Sequence, residues 1–165
     1  MTPVSALGEV RPEHDANGEP SELVQLYYVR GYALPIVDVW EYLTEPDRLA
    51  TWFGTVDGDP FSGDVTITMA AESLDATTSV HVEACTAPHL LDVTIADANV
   101  DLRLHQVGVV TSLFVHRRHL DPREVGRVGP YWQFYIDRLE AAIGGTDMPS
   151  WSDYQNLAAE YPLPG

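Results

Sequence analysis

The sequence predicts an α+β fold: a curved antiparallel sheet of about six to seven strands wrapped round a long C-terminal helix, with two short helices after strand one. The first sign is a series of short runs between Val65 and Arg117 that alternate apolar and polar residues and are separated by Gly and Pro. The second is the longest helical period in the chain, Val128, Trp132, Tyr135/Ile136, Leu139 and Ala142/Ile143, one apolar stripe. The third is a pair of short helical patterns, Pro35–Leu43 and then Thr44–Phe53, directly after the first β-rich run.

In chain order, residues 1–21 hold Pro3, Pro12, Pro20, Gly8 and Gly18 among acids and small residues, and they read as a disordered leader. The domain proper is expected over 22–144. Its first strand starts at Glu22 with a Leu-Val-Gln-Leu-Tyr-Tyr-Val-Arg run that meets no breaker before Gly31. Pro35 suits the first turn of a helix that places Val37, Trp40 and Leu43 on one side. Thr44 is the expected cap of the next helix, which turns Leu49, Trp52 and Phe53 inward. Val65, Ile67 and Met69 share the inner face of one strand, and Val80, Val82 and Ala84 that of the next. The same parity collects Leu91, Val93 and Ile95, then Val100, Leu102 and Leu104, then Thr111, Leu113 and Val115. Asp121, Pro122 and Glu124 mark the start of the long helix and Gly144-Gly145 its end. In the tail, 145–165, Trp151, Tyr154, Leu157/Ala158 and Tyr161 recur at helical spacing, so a short amphipathic helix docked on its own domain is expected.

A formal net charge of -16 argues against nucleic acid or an anionic membrane as partner, since both repel a polyanion. All 9 basic residues are Arg. Without Lys there is no Schiff-base chemistry and no Walker-type phosphate loop. The 1 cysteine, Cys85, cannot form an internal disulfide or a multi-cysteine metal site, and it reads as a small buried apolar residue. No stretch is long and apolar enough for a membrane span, and the start resembles no signal peptide, so a cytoplasmic location is expected.

Three motifs in order resemble a known family. They are the Leu34–Gly54 run LPIVDVWEYLTEPDRLATWFG, the Gly108–Val115 run GVVTSLFV, and Gly129–Leu139, GPYWQFYIDRL. Together they resemble the START-related (SRPBCC) superfamily, and within it the branch named after the activator of heat shock protein 90 ATPase. The likeness covers about residues 22–144 and implies the helix-grip fold. That superfamily hosts lipid carriers, hormone receptors, polyketide cyclases and co-chaperone domains, so the resemblance implies a scaffold rather than one activity.

A sheet bent round one helix and closed by two small ones leaves room for an apolar cavity. Its expected lining is Trp52, Phe61, Met69, Val82, Val93, Leu102, Leu113, Arg117, Trp132, Tyr135 and Leu139. Trp132 and Tyr135 would bring polar tips to an apolar wall, and Arg117 could meet a ligand carboxylate. His116 and His119 invite a metal, but three residues apart on a strand they face opposite ways. No catalytic motif and no cofactor or metal loop is present. The expectation is a non-catalytic domain that holds a small apolar or amphipathic molecule. The alternatives are a protein-interaction module of the co-chaperone kind and, third, a cyclase-like enzyme, which would need convergent titratable groups in the cavity.

Overall fold

In the computed structural model, which describes residues 8–58, 64–69 and 77–161, the alternating runs pair into one sheet. The strands are β1 (Glu9–His14), β2 (Pro20–Tyr32), β3 (Gly54–Asp57), β4 (Asp64–Met69), β5 (Thr77–Thr86), β6 (Leu90–Ile95), β7 (Ala98–Val107) and β8 (Val110–Leu120). Helices α1 (Ile36–Thr44) and α2 (Pro46–Leu49) follow β2, and α3 (Val125–Gly144) follows β8. The 8-stranded sheet runs β1-β2-β8-β7-β6-β5-β4-β3. The START-like α+β fold is therefore present. Register follows parity: Leu113 stands between Arg30 and Leu104, and Val115 between Tyr28 and Leu102, all on the face turned toward α3.

The expected disorder of residues 1–21 is corrected over Glu9–His14. This segment pairs antiparallel with β2, Val10 against Leu26 and Pro12 against Val24. Pro12 argued against a strand, yet β1 lies at the sheet edge, where a residue without an N–H is tolerated, and the register shifts just after it. The Arg11 guanidinium lies 3.8 Å from the Tyr27 ring centroid, and Asp15 Oδ1 accepts the Asn17 and Glu19 amides to hold the turn into β2.

Tertiary bonds set the small helices. The Ile36 amide, at the start of α1, donates to Gln106 Oε1 at 2.9 Å, and the Thr111 hydroxyl donates to the Leu34 carbonyl at 2.7 Å. Thr44 does not cap α2. Its hydroxyl turns back to the Trp40 carbonyl, a bond available within the helix it ends, and Glu45 precedes Pro46 at the start of α2. Asp121 caps as expected, accepting the Arg123 amide of a 3₁₀ turn, but Glu124 pairs with Arg127 at 2.6 Å instead of closing a capping box.

Helix α3 is buried on more than its apolar stripe. Gly129, Gln133, Phe134 and Asp137 are also buried, because the tail covers this side of the helix and β2 meets it with Tyr28 and Arg30. That tail forms two 3₁₀ turns, Trp151–Asp153 and Leu157–Glu160, where one amphipathic helix was expected. Of the residues at helical spacing, Tyr154, Leu157 and Tyr161 are buried, whereas Trp151 stands exposed. Two tyrosine hydroxyls lock the tail. Tyr161 donates to Gln133 Oε1 at 2.7 Å, accepts the Gly8 amide at 3.2 Å and lies 3.0 Å from the Tyr28 hydroxyl. Tyr28 in turn donates to the Gly129 carbonyl at 2.7 Å. A Cβ at Gly129 would come within 2.5 Å of the Tyr161 ring, so only glycine lets the ring lie against the helix.

Candidate functional site

The sheet is wider than the helix that grips it. Over β2 and β8, the side chains of Tyr28, Leu113, Tyr135 and Leu139 are almost fully buried against one another. Toward β4–β7 the inner face carries aliphatic side chains, among them Val65, Val80, Val82, Val93 and Val100, and α1 and α2 form the roof above them. The result is a cavity of about 720 Å³ between the sheet, the α1–α2 corner and Trp132 of α3. Several of its apolar wall residues, among them Val56, Val65, Val82, Ile95 and Leu102, are only half-buried although they face inward. Side chains of that size leave the space; they do not fill it.

Aromatic packing fixes one end. Trp52 Nε1 donates to the Tyr42 carbonyl at 2.7 Å, so the ring is oriented and its only donor is satisfied. The Trp52 carbonyl accepts Arg138 Nε at 2.8 Å, which ties this corner to α3. Phe53 lies 5.2 Å from Trp52 and 6.5 Å from Trp132, centroid to centroid, linking the two indoles across the cavity end. Among the described residues, the exposed lining ones are Glu45 and Pro46 at the α1–α2 corner and Glu83, Ala84, Cys85 and Ala87 at the end of β5, which mark an opening of the cavity.

A bulge between Val82 and Ala84 shapes that opening. Val82 opposes Val93, but beyond the shift Cys85, not Ala84, opposes Leu91. One extra residue exchanges the two faces of a strand. Cys85 is thereby brought to the mouth of the cavity and stands exposed, which corrects its reading as a buried apolar residue.

Of the residues expected at the site, Trp52, Val82, Val93, Leu102 and Trp132 line the cavity. Met69, Leu113, Tyr135 and Leu139 are packed into the core beside it. Phe61 lies outside the described residues. Arg117 is not in the lining. It pairs in register with Leu26 and Val100 at the far end of β8, and its guanidinium donates to the Arg118 carbonyl. Burial there, with Arg127 nearby, pushes its pKa down. His116 bonds Asp101 Oδ1 at 2.9 Å on the outer face, whereas His119 reaches Glu13 Oε1 at 3.1 Å, so the two rings serve separate carboxylates.

Sequence reasoning missed Trp40, Leu43, Leu49 and Phe53 of the roof, and Glu45 and Glu83 at the mouth. Trp40, Leu43, Leu49 and Phe53 carried a signal, the inward side of their helical patterns. The glutamates carried none, because their position depends on the bulge and on how the α1–α2 corner docks.

Solved structures share this architecture. CalU16 from Micromonospora echinospora superposes with a TM-score of 0.72 at 22% identity, covering 94% of this chain and 95% of that one. Protein EF2215 of Enterococcus faecalis, of unknown function, gives a TM-score of 0.71 at 16% identity, with 93% and 88% covered. DynU16, a protein in the dynemicin biosynthetic locus, gives 0.62 at 19% identity, covering 74% of this chain and 48% of its own. At these identities the likeness establishes the fold alone. No curated protein sequence matches the chain. Among the described residues, no helix is long and apolar enough to cross a membrane, and no group of three or more His, Cys, Asp or Glu side chains could hold a metal. The family model described as activator of Hsp90 ATPase homolog 1-like protein matches residues 33–144, and the chain belongs to that family.

Proposed function

We propose that this protein is a non-catalytic binding domain that holds a small apolar or amphipathic molecule in the cavity between sheet, α1–α2 corner and α3. The observation that carries this reading is the cavity itself, about 720 Å³, walled by half-buried aliphatic side chains and three tryptophans. That volume falls in the range of roughly 300–1,000 Å³ used by small-molecule sites. Inward apolar side chains left accessible to water gain free energy when a ligand covers them. Family membership and the START-like fold support the reading. Among the described residues, the titratable lining ones, Glu45, Glu83 and Cys85, are all exposed, and the proposal assigns them no reaction.

Native mass spectrometry, compared with the denatured mass, tests for a co-purified molecule, and thermal shifts against fatty acids, flavonoids and polycyclic aromatics test for added ones. Extra mass, or a saturable shift of several degrees, is the expected result. The absence of both extra mass and any shift overturns the proposal. A second reading, a protein-interaction module, draws on the β7–β8 turn, where Val107, Val109 and Val110 are exposed close together. Under that reading, Val109→Asp abolishes partner capture and leaves ligand shifts unchanged.

A further inference from the structure

The indoles in the cavity wall, Trp40, Trp52 and Trp132, do not spend their N–H groups alike. Trp52 Nε1 donates to the Tyr42 carbonyl. Trp132 Nε1 has no acceptor among the described residues. The Trp132 side chain is only 7% exposed, yet this nitrogen is not among the side-chain atoms sealed off without a partner. The space left to its N–H is the cavity that the ring lines. Trp40, half-buried in the roof, likewise finds no acceptor among the described residues. An indole nitrogen donates and cannot accept. The other polar side chains of the described lining are occupied or exposed. Thr44 bonds the Trp40 carbonyl, Glu83 accepts the Thr94 hydroxyl, and Glu45 and Cys85 are exposed. The buried part of this wall therefore offers a ligand a donor and lacks a side-chain acceptor. No Arg or His is among the described lining residues, and the chain carries a net charge of -16, so a carboxylate is a poor match for that donor. A neutral oxygen fits it. Phe53 and Trp132 lie nearly parallel, 19° apart at 6.5 Å, and a flat ring system packs well against such faces.

We propose that the cavity takes neutral aromatic carbonyl compounds, ketones or quinones of drug size, and that Trp132 Nε1–H donates a hydrogen bond to the carbonyl oxygen. The proposal rests on the cavity being a ligand site, and adds to it the functional group that the ligand carries. A hydroxyl in the same place could accept from Trp132, but its own hydrogen would be buried without a side-chain acceptor. A hydrocarbon of the same shape would leave the indole N–H unpaired.

The test is calorimetric titration of the full chain with fluorenone, fluorene, 9-fluorenol and fluorene-9-carboxylate, four probes on one ring frame. Fluorenone should bind tightest and the carboxylate weakest. Trp132→Phe keeps an aromatic ring and deletes the donor, so it should weaken fluorenone about fivefold more than fluorene. Trp151→Phe, at an exposed indole outside the described lining, should change neither. Should W132F fail to fold, the wild-type protein still decides the matter. Its ¹⁵N–¹H spectrum holds an indole signal for each of the 4 tryptophans. The Trp132 signal, assigned through its backbone amide, should move downfield with fluorenone and not with fluorene. Three results overturn the donor role and leave the cavity reading intact: W132F weakening both probes alike, the same Trp132 shift with both, or a ketone preference lost only in W40F. If none of the four probes binds, this proposal falls, and the cavity reading falls with it when fatty acids and flavonoids also fail.

Discussion

The Tyr154 hydroxyl donates to Asp137 Oδ2 at 2.6 Å and so fastens the tail to the middle of α3. Arg30 of β2 approaches the same carboxylate, Nη2 to Oδ1 at 3.8 Å, with both side chains about nine-tenths buried. Sheet, helix and tail therefore share one buried charge pair. Burial, and the adjacent Asp137 carboxylate, push the Tyr154 pKa far up, so the hydroxyl remains a donor at any physiological pH. Tyr154→Phe deletes a hydrogen bond to a charged acceptor and should cost about 2 kcal/mol in urea denaturation. An unchanged midpoint would mean that the tail bond contributes nothing to stability.

Gly129 and Gly126 both face the tail, but they should respond differently to a methyl group. At Gly129 the added Cβ lies 2.5 Å from a tyrosine ring held by hydrogen bonds, so Gly129→Ala should destabilise by about 2 kcal/mol and expose residues 146–161 to protease. At Gly126 the nearest atom is Ala158 Cβ at 3.3 Å, on a residue that is itself exposed and can shift slightly. The gain in helix propensity, about 0.5–1 kcal/mol, offsets that push, and Gly126→Ala should be close to neutral. Limited proteolysis and chemical denaturation of the pair separate the two outcomes.

Filling the cavity should remove binding and spare the fold. Val82 is half-buried and faces the space opposite Val93. Val82→Trp places an indole where a ligand would lie, so ligand affinity should fall at least about tenfold while Tm holds or rises. Retained affinity in a folded V82W protein would place the ligand elsewhere.

Two histidines should titrate on opposite sides of the ordinary imidazole value. His116 is shifted down, chiefly because burial disfavours its charged form, against the pull of Asp101. His81 is shifted up by its hydrogen bond to Asp64. The folded protein then binds fewer protons at His116 than the unfolded chain does below pH 6.5. The His116 contribution to stability is present above that pH and is lost as pH falls through the folded value. NMR titration of the ring protons should give His116 a midpoint below 6.5 and His81 one above it. Asp64→Asn should return His81 toward the ordinary value.

What could be read in advance was whatever depends on neighbours in sequence. Parity along β4, β6, β7 and β8 and the period of α3 are local signals, and they imply a sheet with one helix across it. Edge strand β1 escaped because its pattern is broken by Pro12, which only its position at the sheet margin excuses. The β5 bulge escaped because nothing in the text marks it, and with it went the placement of Cys85 and Glu83. The tail's buried tyrosines were legible by spacing, yet their partners Gln133 and Asp137 lie off the apolar stripe of α3, where nothing local marks them as buried. The cavity is a matter of what is missing: a valine on an inner face reads the same whether a neighbour covers it or not.

The cluster joining Gly8, Tyr28, Gly129 and Tyr161 carries a consequence for biosynthesis. Its hydrogen bonds join residues 101 to 153 positions apart. While a ribosome is still making the chain, β1 and β2 can form only a hairpin, and β2 must wait for β8 before its other edge is covered. The β3–β7 meander needs no such delay, because each of its pairings joins strands consecutive in sequence. Co-translational folding should thus assemble the cavity wall first and close the tyrosine cluster only after Tyr161 has left the exit tunnel.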